Sequence, residues 1–143
     1  MSLIFSRQCE YALQAVVYLA LRKHGERISI RDLTRKLDIP YHFLAKILQA
    51  LSRKGLLDST KGPGGGFSLR KPAGEITLLQ IVDALDGVDV MRKCVMGFAE
   101  CSGKHPCAVH EDWAVLREGI QAMLTGRSIA QLAADMKQPG YAR

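Results

Sequence analysis

The sequence predicts a mainly α-helical fold that carries one small β-hairpin, and three observations support it. Apolar residues recur at spacings of three and four through much of the 143-residue chain, which is typical of amphipathic helices. The glycine-rich stretch STKGPGGGFSL, residues 59–69, lies between two short apolar runs, as the loop of a hairpin does. The length suits a single domain with one core.

The first predicted helix spans residues 6–24, and Gly25 follows it where a C′ glycine would stand. Cys9 lies on this helix and is expected to pack in the core, because free cysteine is commonly buried. The apolar face of the helix is predicted to contain Tyr11, Ala12, Ala15, Val16, Leu19 and Ala20.

A short helix, a tight turn and a second helix are predicted next. Ser29 followed by Asp32 resembles a capping box that opens the short helix, and Pro40 is expected at the first position of the second helix. The second helix runs to about residue 54 and is ended by Gly55. This spacing is that of a helix-turn-helix, and an ordinary αα-hairpin is the alternative. The inward residues are Ile30, Leu33 and Leu37, then Phe43, Leu44, Ile47, Leu48 and Leu51, whereas Tyr41, His42, Lys46, Arg53 and Lys54 are expected to face solvent.

The glycine-rich stretch has three possible structures. It does not match a P-loop, because Lys61 precedes the glycines and no helix follows directly. A flexible linker is disfavoured, because both flanks are apolar and the run is short. The third structure, a hairpin directly after the second helix, has the layout of a winged helix. Its glycines would allow positive φ and close approach of the backbone to a duplex, and Lys61 would then contact phosphate or the minor groove.

A cysteine-rich stretch follows a helix that Thr77 is expected to cap and that ends near Asp86. Three cysteines fall within 14 residues with the spacing C-x6-C-x5-C, and His110 comes three residues after the last of them. Thiolates are soft ligands that favour iron–sulfur clusters, Zn(II) or Cu(I). The gaps are wider than the C-x2-C of most structural zinc sites. The residues alone therefore leave an iron–sulfur cluster, zinc and metal-free thiols open.

A long helix is predicted after the cysteines, and a short helix over residues 128–137 is expected to fold back on it. The apolar residues of the long helix recur every 3.5 positions, which is typical of contact between helices of two chains, and packing against the chain's own core is the alternative. We divide the chain into residues 1–90, 91–108 and 109–143: a DNA-binding unit, a cysteine-rich sensor loop, and a dimerisation helix with its short C-terminal helix. The apolar seam comprises Val109, Trp113, Leu116, Ile120 and Met123.

The basic charge is concentrated in the first half of the chain. Residues 1–71 hold 13 Lys and Arg against 5 Asp and Glu, whereas residues 72–143 hold 7 against 9. This asymmetry favours a first half that binds a polyanion, and a solubilising surface is the alternative. No apolar run is long enough to predict a membrane-spanning helix, and no signal peptide is recognisable, so we expect a cytoplasmic protein without a membrane partner.

The stretch GLLDSTKGPGGGFSLRKPAGEITLLQIVDALDG strongly resembles the bacterial winged-helix regulators typified by IscR and NsrR, and the resemblance extends from Phe5 to about residue 137. It implies a homodimer that binds double-stranded DNA and regulates transcription. Ala45 stands where IscR has glutamate, which implies a different operator, and Lys61 replaces the wing arginine that is common in the family. The DNA-contacting residues that the resemblance implies are Tyr41, His42, Ala45 and Lys46 on the helix, with Lys61 and Gly62 on the wing.

The same resemblance implies an iron–sulfur cluster, expected to be [2Fe-2S], in the cysteine-rich loop. Its cysteine ligands would be Cys94, Cys101 and Cys107. The fourth ligand stays open between His110, which matches the Cys-x-x-His spacing, and Glu10 of the partner subunit. The first gap of six residues is one longer than in those relatives. The alternatives are a regulator of the same fold with a structural zinc site, or one without a cluster that senses thiols or a small molecule.

An enzyme is disfavoured. It would use Cys107 as the nucleophile with His105 or His110 as the base, yet no oxyanion-hole motif accompanies them. The rest of the chain is typical of a DNA-binding protein.

Overall fold

The computed structural model describes residues 4–98, 103–104 and 106–136, and in these ranges it confirms the mainly helical fold with one hairpin. Two short 3-10 turns, Ala73–Glu75 and Asp89–Met91, flank the fourth helix. The helices are α1 (Arg7–Ala20), α2 (Ile30–Leu37), α3 (Tyr41–Arg53), α4 (Leu78–Leu85), α5 (His110–Gly126) and α6 (Ile129–Met136), and the antiparallel strands are β1 (Leu57–Thr60) and β2 (Gly66–Leu69).

The main core lies where α1 packs against α3, α4 and α6. The periodic apolar residues of α3 face it, as expected, with Phe43 only partly covered. Cys9 is fully buried on α1 and joins a second, smaller cluster with Leu78, Val82 and Leu124. Burial of these apolar side chains is the main favourable term in folding. The largest fully buried side chains include Leu33, Ile39, Leu44, Ile47, Leu48, Leu51, Leu57, Ile76 and Ile81.

Two predicted helix boundaries are wrong by a few residues. α1 ends at Ala20 rather than near residue 24, because the chain tightens into a short turn at Leu21, and Gly25, with φ of 83°, belongs to the next turn. Pro40 is the N-cap of α3 rather than its first helical residue, with φ −56° and ψ 137°. The ring fixes φ near this value in either position, so the sequence does not separate the two.

The start and end of α2 set the tight turn of the helix-turn-helix. The Ser29 hydroxyl accepts the Asp32 N–H at 3.2 Å. The Asp32 carboxylate pairs with Arg35, so the capping box is formed on its serine side. The helix ends at Asp38, which adopts the left-handed conformation with φ of 55°. Aspartate tolerates this region better than most residues, and the chain can therefore turn directly into α3.

The wing is fastened to the residue that precedes α2. β1 and β2 pair from Leu57–Leu69 to Thr60–Gly66. Beyond this register, Ile28 exchanges two backbone hydrogen bonds of 2.9 Å with Phe67. A single residue before α2 thus extends the sheet by one bridge, and the position of the wing is tied to the start of the helix-turn-helix.

The C-terminal helix α6 packs mainly against α1 and the Ala73–Glu75 turn, whereas we predicted that it folds back on α5; Leu132 of α6 also joins the small cluster that contains Leu124 of α5. Backbone bonds hold this arrangement: Leu78 donates to the Arg127 carbonyl at 3.1 Å and Ile129 donates to the Ile76 carbonyl at 2.7 Å. Thr77 caps α4 as predicted, in a full capping box with Gln80. Within the described ranges, no helix has the length and apolar character needed to cross a bilayer.

Candidate DNA-binding surface and cysteine site

The outer face of α3 is the centre of the candidate DNA-binding surface. Tyr41, His42 and Lys46 are exposed and Ala45 is half-buried, whereas the opposite face of the helix is buried in the core. The pairs at positions 41/45 and 42/46 are four residues apart and therefore share one side of the first two turns. The structure thus places the four predicted base-reading residues together at the N-terminal end of one exposed helix face.

A basic groove continues this surface toward α1. It has a volume of about 310 Å³ and is lined by Lys46 and Arg53, with the amides of Gln8 and Gln49 beside them. Cations and amide groups of this kind contact the phosphate backbone of DNA and set the register of a protein on it. Arg53 and Gln8 therefore add backbone-contacting candidates that the resemblance did not include.

The tip of the wing is exposed at Lys61 and Gly62. Residues 62–65 form a tight turn in which the Gly65 N–H donates to the Gly62 carbonyl at 2.9 Å, with Pro63 and Gly64 at the central positions. Gly64 has φ of 74°, the value that a type II turn requires after proline. The predicted positive φ is thus found at the tip, where Lys61 is free to extend toward a duplex.

The next two glycines also have a structural role that we did not predict. A Cβ on Gly65 would lie 2.2 Å from the Thr60 carbonyl oxygen, and one on Gly66 would lie 2.4 Å from the Ile28 carbonyl oxygen. The close backbone approach at these positions is therefore to the protein's own chain. Gly66 also has φ of 148°, a backbone angle that residues with a side chain rarely adopt.

Two of the predicted cysteine ligands are close together. Burial of Cys94 opposes ionisation, but backbone N–H groups from residues 96–98 and the Cys107 thiol donate to its sulfur, and the net effect holds the pKa of Cys94 below its usual value. Cys101 lies outside the described residues. Among the residues that the structure describes, no three His, Cys, Asp or Glu side chains converge as a metal site.

The two candidates for a fourth ligand differ in their position. His110 is the first residue of α5, and its backbone N–H donates to the Cys107 carbonyl at 3.1 Å. Glu10 lies on α1, where its carboxylate is 3.7 Å from the Arg7 guanidinium. Within one chain, His110 is thus joined directly to the cysteine-rich loop.

Asp86 joins the start of α1 to the end of α4, just before this loop. Its carboxylate accepts the Ser6 N–H at 2.9 Å and also the Ser6 hydroxyl. Burial, the negative charge of Asp86, a hydrogen bond to Asp86 and the charge of Glu10 raise the pKa of Cys9 to about 12. The expectation that Cys9 is a core residue is confirmed, and its thiol is held protonated.

We expect the alkaline stability of the protein to depend on Cys9. The pKa of this thiol is raised on folding, from 9.0 to about 12, so its contribution to stability is complete below pH 9 and is lost as the pH rises toward 12. The loss should be on the order of 2 kcal/mol by pH 10.5. Urea unfolding of the wild type and Cys9→Ala between pH 7 and 10.5 measures it. Parallel pH profiles for the two proteins would contradict this expectation.

A wide cleft opens between the cysteine-rich loop, the end of α4 and α5. Its volume is about 510 Å³, and its lining is mostly apolar. Leu116 is 61% exposed and Val115 is 69% exposed on the adjoining helix. Leu124 is the buried residue of α5, so most of the apolar seam is not covered by the chain's own core. The lining residues are Ile4, Asp86, Asp89, Lys93, Cys94, Val95, Trp113, Leu116 and Ile120.

Two residues of this region were missed by sequence reasoning. Asp86 carried no signal, because its partner Ser6 is 80 positions away. Trp113 was assigned only to the apolar seam, yet its indole N–H donates to the Lys93 carbonyl at 3.1 Å. The sequence did offer a signal for this contact, because the indole N–H of a covered tryptophan usually has a hydrogen-bond partner.

An exposed helix at the end of a helix-turn-helix, next to a basic wing, defines a winged-helix protein that binds DNA. The chain belongs to the Rrf2 family: the family model, described as an iron-dependent transcriptional regulator, matches residues 5–135. It is a transcriptional regulator and not an enzyme. The resemblance seen in the sequence is thereby confirmed.

Named relatives agree with this family. The HTH-type transcriptional regulator IscR of Klebsiella pneumoniae subsp. pneumoniae is 30% identical over 123 residues, which is 85% of this chain and 74% of the relative. A protein of Aquifex aeolicus (strain VF5), provisionally named an HTH-type transcriptional regulator, is 36% identical over 132 residues, or 91% of each chain.

Solved structures share the fold. CymR (YrzC), the global cysteine regulator of B. subtilis, superposes with a TM-score of 0.80 at 25% identity and covers 94% of this chain and 98% of its own. The IscR of T. potens has a TM-score of 0.76 at 20% identity and covers 100% of this chain and 95% of its own. At the latter identity the likeness concerns the fold alone.

We expect Lys46→Ala to weaken binding to a specific DNA site about ten-fold, because the side chain is exposed on α3, where its ammonium would reach base edges or phosphates of a bound duplex. Stability should change by less than about 0.5 kcal/mol, since the side chain is exposed. Fluorescence anisotropy with labelled DNA measures the affinity. Lys23→Ala, which removes an exposed lysine just beyond α1, is the matched control. Equal losses in the two variants would contradict a specific role for Lys46.

Proposed function

We propose that the protein is a homodimeric, sequence-specific regulator whose affinity for DNA responds to an iron–sulfur cluster held by the cysteine-rich loop. The observation that carries the proposal is the position of the loop. It ends at Cys107, whose carbonyl is bonded to the first residue of α5, and α5 carries the uncovered apolar seam. A change at the cysteines therefore acts next to the surface through which two chains would meet.

The donors present suit a thiolate-bound group. Backbone N–H groups around Cys94 favour the thiolate form of its sulfur, and the Cys107 thiol lies in hydrogen-bond contact with it. Cys94, Cys101 and Cys107 would hold the cluster. His110 would be the fourth ligand, because it matches the Cys-x-x-His spacing of the IscR-like branch, and Glu10 of the partner subunit is the alternative. When bound, such a cluster supplies a centre whose redox state is set by its ligands and surroundings. The family description as iron-dependent supports this choice.

DNA recognition would use Tyr41, His42, Ala45 and Lys46 on α3. Two copies of α3 in a dimer would enter successive major grooves, and the half-sites would lie about one helical turn apart. Lys61 and Gly62 on the wing would contact the backbone beside each half-site. Ala45 presents only a methyl group, which suits apolar contact with a thymine methyl rather than a hydrogen bond.

Two experiments test this proposal. Selection from a random duplex library should yield a two-fold symmetric site, and an asymmetric or non-selective outcome would contradict the DNA part. Protein purified without oxygen should show broad visible absorption together with iron and acid-labile sulfide. A colourless protein with stoichiometric zinc would replace the cluster by a zinc site, and a colourless protein without metal would replace it by thiol sensing.

Thiol sensing is the second candidate, and one observation favours it. Two cysteine thiols in direct hydrogen-bond contact are also a redox-sensitive pair. The similar structure of CymR is titled a global cysteine regulator, which links a protein of this fold to cysteine.

We expect Leu116→Lys to dissociate the proposed dimer, because it places a charge in the middle of the apolar seam. The side chain is already 61% exposed in the single chain, so the fold should survive. Analytical ultracentrifugation measures the change, and Glu118→Lys, two residues further on the exposed side of α5, is the control. A Leu116→Lys protein that still sediments as a dimer would show that α5 is not the interface.

A further inference from the structure

The single tryptophan of the chain bonds the long helix to the residue before the first cysteine. Trp113 lies in the first turns of α5, and its Nε1–H donates to the Lys93 carbonyl at 3.1 Å, across 20 residues of sequence. Lys93 directly precedes Cys94. The bond therefore joins the rigid indole ring to the backbone of the cysteine-rich loop, one residue before its first cysteine.

The other end of the loop is bonded to the same turns of α5. The His110 N–H donates to the Cys107 carbonyl at 3.1 Å, and the Trp113 backbone N–H donates to the Val109 carbonyl at 2.9 Å. The entry of the loop is thus held by a side chain and its exit by the main chain, both at the start of α5. The entry contact depends on one residue and can be removed by changing that residue alone.

Trp113 lies beside the first cysteine of the loop as well as on α5. The ring is half-buried and lines the 510 Å³ cleft together with Lys93, Cys94 and Asp86. An indole N–H is a donor only, and because this bond is exposed, water takes the place of the Lys93 carbonyl when the two groups separate.

We propose that Trp113 is a positioning residue that couples the Cys94 side of the loop to α5. The inference rests on the proposed function, since it assigns the path by which the state of the cysteines reaches the dimer helix. A shift of Cys94 moves the Lys93 carbonyl, and the indole moves with it or loses its partner. The state of the cysteines then favours one arrangement of α5 over another, which is the differential preference that coupling requires.

The experiment removes the N–H and keeps the ring. Because the chain has one tryptophan, a tryptophan-auxotrophic host can replace it throughout the full-length protein with β-(3-benzothienyl)alanine, in which sulfur replaces the N–H group. The matched control is 4-fluorotryptophan, which keeps the N–H. Trp113→Phe, which also lacks the donor, is a second variant in case the analogue protein does not fold.

Two readouts are taken. The first is hydrogen–deuterium exchange of the cluster-free protein over residues 91–98 and 107–113. The second is the loading ratio, defined as the DNA affinity of the cluster-loaded protein divided by that of the cluster-free protein. We expect loss of the N–H to speed exchange at the loop entry and to bring the loading ratio about two- to ten-fold closer to 1, with the 4-fluorotryptophan protein unchanged.

The outcomes separate this inference from the proposed function. A wild-type ratio different from 1 that persists without the N–H, or exchange that does not change, overturns the role of Trp113 and leaves the proposed function standing. A wild-type ratio of 1 overturns cluster sensing and the coupling role together. A ratio that moves toward 1 in both proteins lacking the donor and is unchanged in the 4-fluorotryptophan protein supports the inference.

Discussion

Gly66→Ala is expected to reduce DNA affinity at least ten-fold and to destabilise the fold by about 2 kcal/mol. The added Cβ would lie 2.4 Å from the Ile28 carbonyl oxygen and 2.9 Å from the Ser29 backbone nitrogen. Both neighbours are backbone atoms at the start of α2, so neither can turn aside as a side chain would. The wing must then move away from the helix-turn-helix, which separates Lys61 from the surface formed by α3.

Two other glycines provide controls for this variant. Gly74→Ala adds a methyl group in open space without positive φ, and it should leave stability and DNA affinity nearly unchanged. Gly25→Ala has φ of 83° but open space around it, so it should cost about 1 kcal/mol of stability through backbone strain alone. Unfolding by urea and DNA anisotropy are measured for all three. If Gly66→Ala binds DNA as well as Gly74→Ala does, the wing is not positioned by this contact.

Cys94→Ser and Cys107→Ser are each expected to abolish the visible absorption of protein purified without oxygen. Serine is a hard oxygen donor that is not deprotonated at neutral pH, so it does not replace a soft thiolate ligand. Cys9→Ala is the matched control: it removes the fully buried thiol of α1, far in sequence from the loop, and should keep the colour.

The same spectra identify the fourth ligand. His110→Ala should shift the visible bands or lower cluster content, whereas Glu10→Gln should leave them unchanged. Retention of the full spectrum in Cys107→Ser would mean that the loop cysteines do not hold the cluster. A changed spectrum in Glu10→Gln but not in His110→Ala would move the fourth ligand to the partner subunit.

Helical periodicity and the glycine-rich loop were enough to predict the helices and the hairpin, because each depends on residues within one turn or one strand pair of each other. Phe43, Leu44, Ile47 and Leu48 face the core as the helical spacing requires. The exposed face of α3 followed from the same spacing. Local capping was also predictable, as at Thr77, whereas its capping-box partner Gln80 was not predicted.

Contacts between distant segments were not predictable in this way. The pairing of Ile28 with Phe67 involves one residue outside any strand, so no alternating pattern marks it. The C-terminal helix has an apolar face that suits several neighbours, and its position against α1 combines the burial of Ile129 and Ala133 with the backbone bonds at residues 76–78. The contacts of Asp86 and Trp113 likewise depend on which ends of the chain the fold brings together.

The part of the site that depends on Cys101 lies outside the described residues and stays a prediction. Cys94 and Cys107 are in contact, and the backbone of His110 is bonded to the Cys107 carbonyl, whereas the role of His110 as a ligand stays a prediction. Spacing alone does not distinguish an iron–sulfur cluster, zinc and metal-free thiols, because thiolates bind both iron–sulfur clusters and zinc.

The central claim is tested most directly by titrating one selected DNA site with the full-length protein, cluster-loaded and cluster-free, at about 0.15 M salt. The account predicts affinities that differ by at least about ten-fold, equivalent to about 1.4 kcal/mol of coupling between the loop and the DNA-binding surface. Equal affinities would contradict it, and the protein would then be a DNA-binding regulator whose cysteine-rich loop does not control binding through a cluster.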